Sequence, residues 1–394
     1  MTNPAKILIS PKGLRWFSSG HPWIYAGDLL SKPEQAGVVT VCDSRGKFLA
    51  QAFYSPHSKI ALRILSRKEE PIDRNWFFEK LKRAITLRKK LSIRSDAQRL
   101  VFAESDGIPS LIVDRYGETL VVQTLSAGLE ACKVWVFDSL KEILSPTGVF
   151  EKNDVAVRHL EKLPRSNEVV FGEVPETIWI EEAGLQFAVD VRKGQKTGAF
   201  LDQRGNRILA GEMAEGNVLD AFSYEGWFAC HFARKAESVV CLESSEEAAV
   251  RIRENAKKNG MENKISIITS NAFDVLKEKE QGNETFGWIN LDPPAFVKTA
   301  KEKEGAWRGY KEINLRAMKM LKKTGGGLST SSCSYHMGVD DFSQMLAEAA
   351  FDAKAEINVF AEKGAAPDHP MLPGFPESRY LKCLFCYVNG DRYS

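Results

Sequence analysis

From Lys6 to Leu65 the apolar positions come in short runs. They are Lys6-Ile7-Leu8-Ile9-Ser10, Val38-Val39-Thr40-Val41, Phe48-Leu49-Ala50 and Ile60-Ala61-Leu62-Arg63-Ile64, divided by turn residues such as Asp43-Ser44-Arg45-Gly46. Short strands at that spacing predict a small barrel. A linker over residues 69–73 leads into a helical pattern from Trp76 to Leu91. There Phe77, Leu81, Ala84, Ile85 and Leu87 recur at helical spacing, while Lys80, Lys82, Arg83, Arg88 and Lys89 fill the other face. Residues 100–190 alternate again, with a hairpin around Tyr116-Gly117, a helix from about Leu129 to Leu144, and strands near Val169 and over residues 185–189. This predicts a small α+β unit.

After Gly194 the pattern changes to strands alternating with helices, the signature of a parallel sheet covered on both faces. Strands are expected over residues 217–222, 238–242, 265–268, 286–291, 328–332, 355–360 and 380–388. Ser244 with Glu247 reads as a capping box opening a helix that presents Ala248, Ile252 and Ala256 on one side and stops at Gly260. The expected organisation is three domains, 1–72, 73–190 and 191–394, the last of them α/β and Rossmann-like.

Composition narrows this picture. The 394 residues are 43% hydrophobic, enough for real cores, and no stretch nears the roughly 18 apolar residues of a membrane span. The start lacks the apolar core of a signal peptide, so a cytoplasmic protein is expected. Seven scattered cysteines do not form a disulfide framework. Cys383 and Cys386 have CxxC spacing, but they lie in an aromatic strand-like run and read as core rather than as a metal site. The net charge of +2 hides an asymmetry: residues 1–94 carry 18 Lys and Arg against 7 Asp and Glu, leaving 36 against 45 in the other 300. A basic front suits docking on a polyanion such as RNA, or else is a solvated helix face.

The candidate chemistry gathers at strand ends. The run to Leu291 stops at Asp292-Pro293-Pro294, and prolines cannot continue an internal strand. The run Leu328–Ser332 reaches Cys333. Ligands of open α/β sheets bind outside the carboxyl ends of the strands. Asp220 and Glu243, 23 residues apart, end two further strands, and Glu243 is placed to bind ribose hydroxyls. The turn between them holds one glycine, Gly226, rather than Gly-x-Gly-x-x-Gly, which speaks against a dinucleotide and for S-adenosylmethionine. Asp292 can meet the exocyclic amine of a planar base, with Phe296 able to stack. A thiolate at Cys333 can add to C6 of a pyrimidine and make C5 nucleophilic; a cysteine finishing a core strand is the plainer alternative.

Taken together the chain resembles the RlmI-type bacterial 23S rRNA 5-methylcytosine methyltransferases over essentially its whole length. The matching segments are Gly20-His21-Pro22-Trp23, Tyr54-Ser55-Pro56, Gly107-Ile108-Pro109, Asp114-Arg115-Tyr116, residues 196–204, Phe222-Ser223-Tyr224-x-Gly226, Asp292-Pro293-Pro294-x-Phe296, Arg308-Gly309-Tyr310-Lys311-x-Ile313-Asn314, Ser332-Cys333-Ser334 and Asp368-His369-Pro370. The resemblance implies an N-terminal PUA domain, a central α+β domain and a class I methyltransferase sheet of six parallel strands and one antiparallel. It implies Cys333 as nucleophile and Asp292 as the acid that contacts the base. S-adenosylmethionine would be held by Asp220, Phe222, Ser223, Tyr224, Gly226, Glu243, Ser244, Asn271, Ala272 and Asp292, with Phe200, Gln203 and Arg204 closing its methionine end. RNA would be met by His21, Trp23, Arg308, Tyr310, Lys311 and Asn314, and no metal is implied. Glu225 stands where a small Thr is usual and Asn271 where Asp is usual, so weaker cofactor binding is expected. His336 could shuttle protons. The expected partner is 23S rRNA, and the sequence leaves a homodimer open. Methylation of a base nitrogen, needing no cysteine, and a non-catalytic rRNA-binding assembly factor are the alternatives.

Overall fold

The computed structural model describes residues 4–296 and 303–390. Its elements are β1 (Lys6–Leu8), α1 (Pro11–Ser18), β2 (Trp23–Tyr25), β3 (Gly37–Cys42), β4 (Phe48–Tyr54), β5 (Ile60–Ser66), α2 (Arg74–Lys90), β6 (Ala97–Phe102), β7 (Leu111–Tyr116), β8 (Thr119–Thr124), α3 (Ala127–Glu130), α4 (Lys133–Leu144), β9 (Gly148–Lys152), α5 (Val157–Leu160) and β10 (Asn167–Gly172). The hairpin of β11 (Ile178–Glu182) and β12 (Leu185–Val189) follows. Then come α6 (Arg204–Met213), β13 (Asn217–Ala221), α7 (Trp227–Ala233), β14 (Ser238–Glu243), α8 (Glu246–Lys258), β15 (Ile265–Thr269), α9 (Ala272–Gln281), β16 (Trp288–Leu291), α10 (Lys303–Leu321), β17 (Gly326–Ser332), α11 (Val339–Ala353), β18 (Ile357–Lys363) and β19 (Lys382–Val388). They form two compact units. One is built from the chain up to Ile180 with Val189–Leu201 and Pro367–Ser378; the other from Glu181–Ala188, Asp202–Ala366 and the chain from Arg379 onward.

The first unit holds two five-stranded sheets, ordered β1-β3-β4-β5-β2 and β10-β9-β8-β7-β6. A single apolar cluster runs from Phe53 and Leu65 of the first sheet through Trp76, Phe77 and Leu81 of α2 to Leu111, Val113 and Val122 of the second. The Phe53 and Phe77 rings lie 6.2 Å apart. Gly128 lets α3 close on β4, since a Cβ there would lie 2.5 Å from that of Phe53. Buried Arg63 donates to Glu161 at 2.8 Å. A boundary drawn at residue 72 therefore falls within a continuous core.

Two local expectations need correction in this unit. The helix expected over residues 129–144 is two helices, because Ser126 caps α3 and the chain leaves helical geometry at Cys132 before α4 begins. Helix α1 was not anticipated, although Ser10-Pro11 carries its start signal: the Ser10 hydroxyl accepts from Gly13 N at 3.1 Å and proline fills the first turn.

The second unit is a seven-stranded sheet ordered β15-β14-β13-β16-β17-β19-β18. β19 runs antiparallel to both its neighbours, and the other strands are parallel. Alternate residues feed opposite faces. Leu219, Ile289 and Leu328 pack with α9, α10 and α11, whereas Val218, Val239 and Cys241 pack with α6, α7 and α8. Cys383 and Cys386 are buried in β19. Helix α8 is capped by Ser245, which accepts from Ala248 N at 3.2 Å, and not by Ser244; the helix starts one residue later because Glu243 captures the Ser245 backbone N–H. Gly260, at φ +66°, ends it as expected.

Gly327 stands opposite Trp288 in the β16–β17 register. A Cβ there would lie 2.0 Å from the indole ring, whose Nε1 donates to Ser329 Oγ at 3.0 Å. Gly327→Ala should destabilise the fold by about 1–3 kcal/mol or more through overpacking. The urea midpoint of the variant, lowered at an unchanged slope, is the check.

Candidate active site

Four parallel strands of the second unit deliver their carboxyl ends to one edge. β14 brings Glu243, β13 Asp220, β16 Asp292 and β17 Cys333. The chain turns to opposite sides of the sheet after β13 and β15, so the β13–β16 pair is the topological switch point.

The turn after β13 is strained and closely tied. Phe222 and Tyr224 have left-handed φ values of +64° and +49° without being glycine. Phe222 N and Ser223 N both donate to Leu242 O, at 3.0 and 3.1 Å, and the Ser223 hydroxyl donates to Asp220 O at 2.6 Å. Gly226 has φ +76°, and a Cβ on it would meet Ile252 at 2.9 Å. Glu243 is fixed by two backbone donors, Tyr224 N at 2.8 Å and Ser245 N at 2.9 Å. Asn271 caps α9 by accepting from Phe273 N at 2.9 Å, and Ala272 is buried behind it.

Asp220 is buried at the centre of this arrangement. Its Oδ1 accepts from Asn290 Nδ2 at 2.8 Å, Asn290 Oδ1 accepts from Ser329 Oγ at 2.6 Å, and Oδ2 has no hydrogen-bond partner among the described residues. Burial, with a further push from the Asp292 charge and against the Asn290 hydrogen bond, raises its carboxyl to about 7.

Asp292 Oδ1 accepts from Gln203 Nε2 at 2.8 Å. Beside it Phe296 lies 4.6 Å from the Tyr310 ring and 5.7 Å from that of Phe273, with Phe222 at 6.4 Å. Cys333 is half-buried, whereas the other six cysteines are buried. Its neighbours are locked: Ser332 Oγ donates to the Tyr310 hydroxyl at 3.0 Å, and that hydroxyl lies 2.9 Å from Ser334 Oγ. Lys382, buried on β19, donates to the carbonyls of Ser334 at 2.7 Å and Tyr380 at 2.9 Å.

Other expected site residues take different places. Arg204 is buried with its Nε 3.4 Å from Glu182. Phe200 belongs to the first unit, where Lys196 lies 4.4 Å over its ring. Tyr310 and Asn314, expected as RNA contacts, are fully buried, with Asn314 Nδ2 donating to Tyr310 O at 2.9 Å. Lys311 pairs with Asp352 at 2.9 Å, and Arg308 is exposed. His21 is buried in an aromatic group with Trp23 and Phe375 of the first unit, and Trp23 Nε1 donates to Glu104 at 2.8 Å. These two hold the loop at 367–378 in place. His336 packs on Tyr335 at 5.1 Å. Sequence reasoning overlooked Lys382, although a lysine heading the apolar run Cys383–Val388 was its signal.

A switch-point site with a strained turn, a strand-end acid and no pyrophosphate glycines is the arrangement expected of a class I methyltransferase. Family models agree: residues 7–67 match a PUA-like domain and residues 148–384 an S-adenosylmethionine-dependent methyltransferase. The ribosomal RNA large subunit methyltransferase I of Erwinia tasmaniensis is 38% identical over 93% of this chain and 95% of its own, and that of Alteromonas mediterranea 35% identical over 98% and 100%. A solved methyltransferase complexed with SAH superposes with a TM-score of 0.85 at 20% identity, over 98% of this chain and all of the other. The chain belongs to the ribosomal RNA large subunit methyltransferase I family of S-adenosylmethionine-dependent enzymes. No helix among the described residues is long and apolar enough to cross a membrane.

Proposed function

We propose that this protein forms 5-methylcytosine in 23S rRNA, in the cytoplasm, through a cysteine adduct at C6. The observation that carries the reading is Cys333, the half-buried cysteine at the end of β17, next in the sheet to the strand that ends at Asp292. The relatives' names supply the rRNA.

The residues present fit the cofactor. A buried carboxylate oxygen of Asp220 without a partner, the strained Phe222–Gly226 turn and the doubly anchored Glu243 are a cradle for a cationic, ribose-bearing group. Asp220 would face its amine, Glu243 its ribose, Asn271 and Ala272 its base, and Gln203 would position Asp292. S-adenosylmethionine supplies the methyl group when bound. The Cys333 thiolate attacks C6 and forms the S–C6 bond, while Asp292 polarises the N3/N4 edge so that electron density reaches C5. After methylation a base, such as a water molecule, takes the C5 proton, the C5=C6 bond reforms and the S–C6 bond breaks to release the thiolate. Lys12, Arg15 and Trp16, all exposed on α1, offer cationic and stacking contacts to RNA.

Incubation with labelled S-adenosylmethionine and unmodified rRNA, followed by digestion and mass spectrometry of nucleosides, tests the reading. Label in 5-methylcytidine supports it, and label in a nitrogen-methylated base refutes it. A second expectation concerns pH. A carboxyl at about 7 is ionised above that value, so cofactor affinity should fall toward tenfold between pH 8 and pH 6. Calorimetry across that range should show the slope, and Asp220→Asn should flatten it.

A further inference from the structure

We propose that the buried ammonium of Lys382 holds Cys333 in its thiolate form, acting through the nucleophile as a positioning residue rather than touching the substrate. This deepens the cytosine-C5 reading and rests on Cys333 being the nucleophile. Lys382 stands opposite Ser332 in the antiparallel β17–β19 register, one residue from Cys333. Its side chain is almost fully buried, and two of its three N–H donors are fixed on the carbonyls of Ser334 and Tyr380. A lysine so anchored cannot swing to solvent. It straps the segment that carries Cys333 and sets a positive charge beside it.

Burial is unfavourable for an ammonium and brings Lys382 down to about 8, against the pull of the Cys333 and Asp341 charges. It therefore stays mostly protonated at neutral pH, and the attraction it feels from the thiolate is reciprocal. Among the described residues, the other ionisable groups at this spot are Tyr310 on α10, which feels the Cys333 charge, Asp341 in the first turn of α11, and Asp292 at the end of β16, whose charge reaches the neighbouring Cys383. None of these is a cation, and the two carboxylates oppose a thiolate. Among the described residues Lys382 is thus the cation that can offset them. It keeps its own proton throughout, and the thiol proton leaves to solvent.

The test is the pH dependence of Cys333 alkylation by iodoacetamide, followed by mass spectrometry of the Cys333 peptide in the full chain, without RNA or cofactor. In the wild type the midpoint should lie below the ~8.5 of a free thiol. In Lys382→Met it should rise by about one pH unit, and Lys382→Arg should restore it. A wild-type midpoint at or above the free-thiol value overturns the proposal even if the Met variant fails to fold, as does a Met variant with an unmoved midpoint. Because alkylation needs no substrate, a shifted midpoint together with a nitrogen-methylated product would keep the Lys382–Cys333 pairing and discard the C5 reading. 5-Methylcytidine with an unmoved midpoint would do the reverse.

Discussion

On the proposed C5 reading, replacing Cys333 with alanine should leave S-adenosylmethionine binding unchanged and lower methyl transfer to rRNA by at least about 10³-fold, because C5 of cytosine is too weak a nucleophile without the adduct. The substitution is structurally mild. Cys333 lies beyond the last ladder residue of β17, is half-buried, and has its backbone neighbourhood held by Ser332, Tyr310 and Lys382. The defect should therefore appear in kcat with melting temperature and cofactor affinity intact. Single-turnover assays with a 5-fluorocytosine RNA sharpen the point: wild type should accumulate a covalent protein–RNA band on a denaturing gel, and the alanine variant none. Equal turnover by both proteins would remove the thiol from the reaction.

Glu182→Gln should destabilise the methyltransferase unit by about 3–5 kcal/mol, the range for an uncompensated buried charge. Glu182 is fully buried, with Arg207 donating to both its oxygens, His231 Nε2 donating to Oε1 at 3.1 Å and Arg204 Nε 3.4 Å away. An amide keeps the volume and leaves guanidinium charge buried without its counterion. Against the opposing effect of burial, the Arg207 charge and the His231 and Arg207 hydrogen bonds hold the carboxyl well below the usual carboxylate range. A depressed carboxyl contributes stability that is complete above its unfolded value near ~4.3 and is lost as pH falls below it. The gap between wild type and variant should thus be full at neutral pH and narrow under acid. His231, lowered by burial, adds a loss that begins near its unfolded value of ~6.5 on acidification, whereas Asp220, raised, acts in the opposite direction below about 7. Urea melts of both proteins from pH 7 down to pH 2 should follow that narrowing; the Asp220 contribution is common to the two proteins, whereas that of His231 changes with the loss of its Glu182 partner.

Much of the site was legible because strand ends announce themselves. Pro293-Pro294 stops β16 and thereby locates Asp292, and the alternation from residue 217 onward gives the sheet that places Glu243 and Cys333 along one edge. What stayed hidden depends on register and burial between distant segments. Nothing near Tyr310 says that its hydroxyl lies between Ser332 of β17 and Ser334 just beyond it, and a matched motif alone made it an RNA contact. Lys382 meets Ser334 only through the β17–β19 pairing across a 48-residue separation. The one-residue shift of the α8 cap follows from Glu243 taking the Ser245 N–H, a choice that side-chain patterns do not encode.

The shared core of Phe53, Leu65, Phe77 and Leu81 in the first unit bears on how this enzyme could be re-engineered. The PUA-like sheet has an apolar cluster of its own but also shares one with the elements that follow it. A chimera that transplanted residues 1–72 onto another catalyst would carry a raw apolar face into solvent and leave a matching hole in the donor. Recombination would have to carry Val189–Leu201 and Pro367–Ser378 along with the first 180 residues, since all three stretches build the same unit.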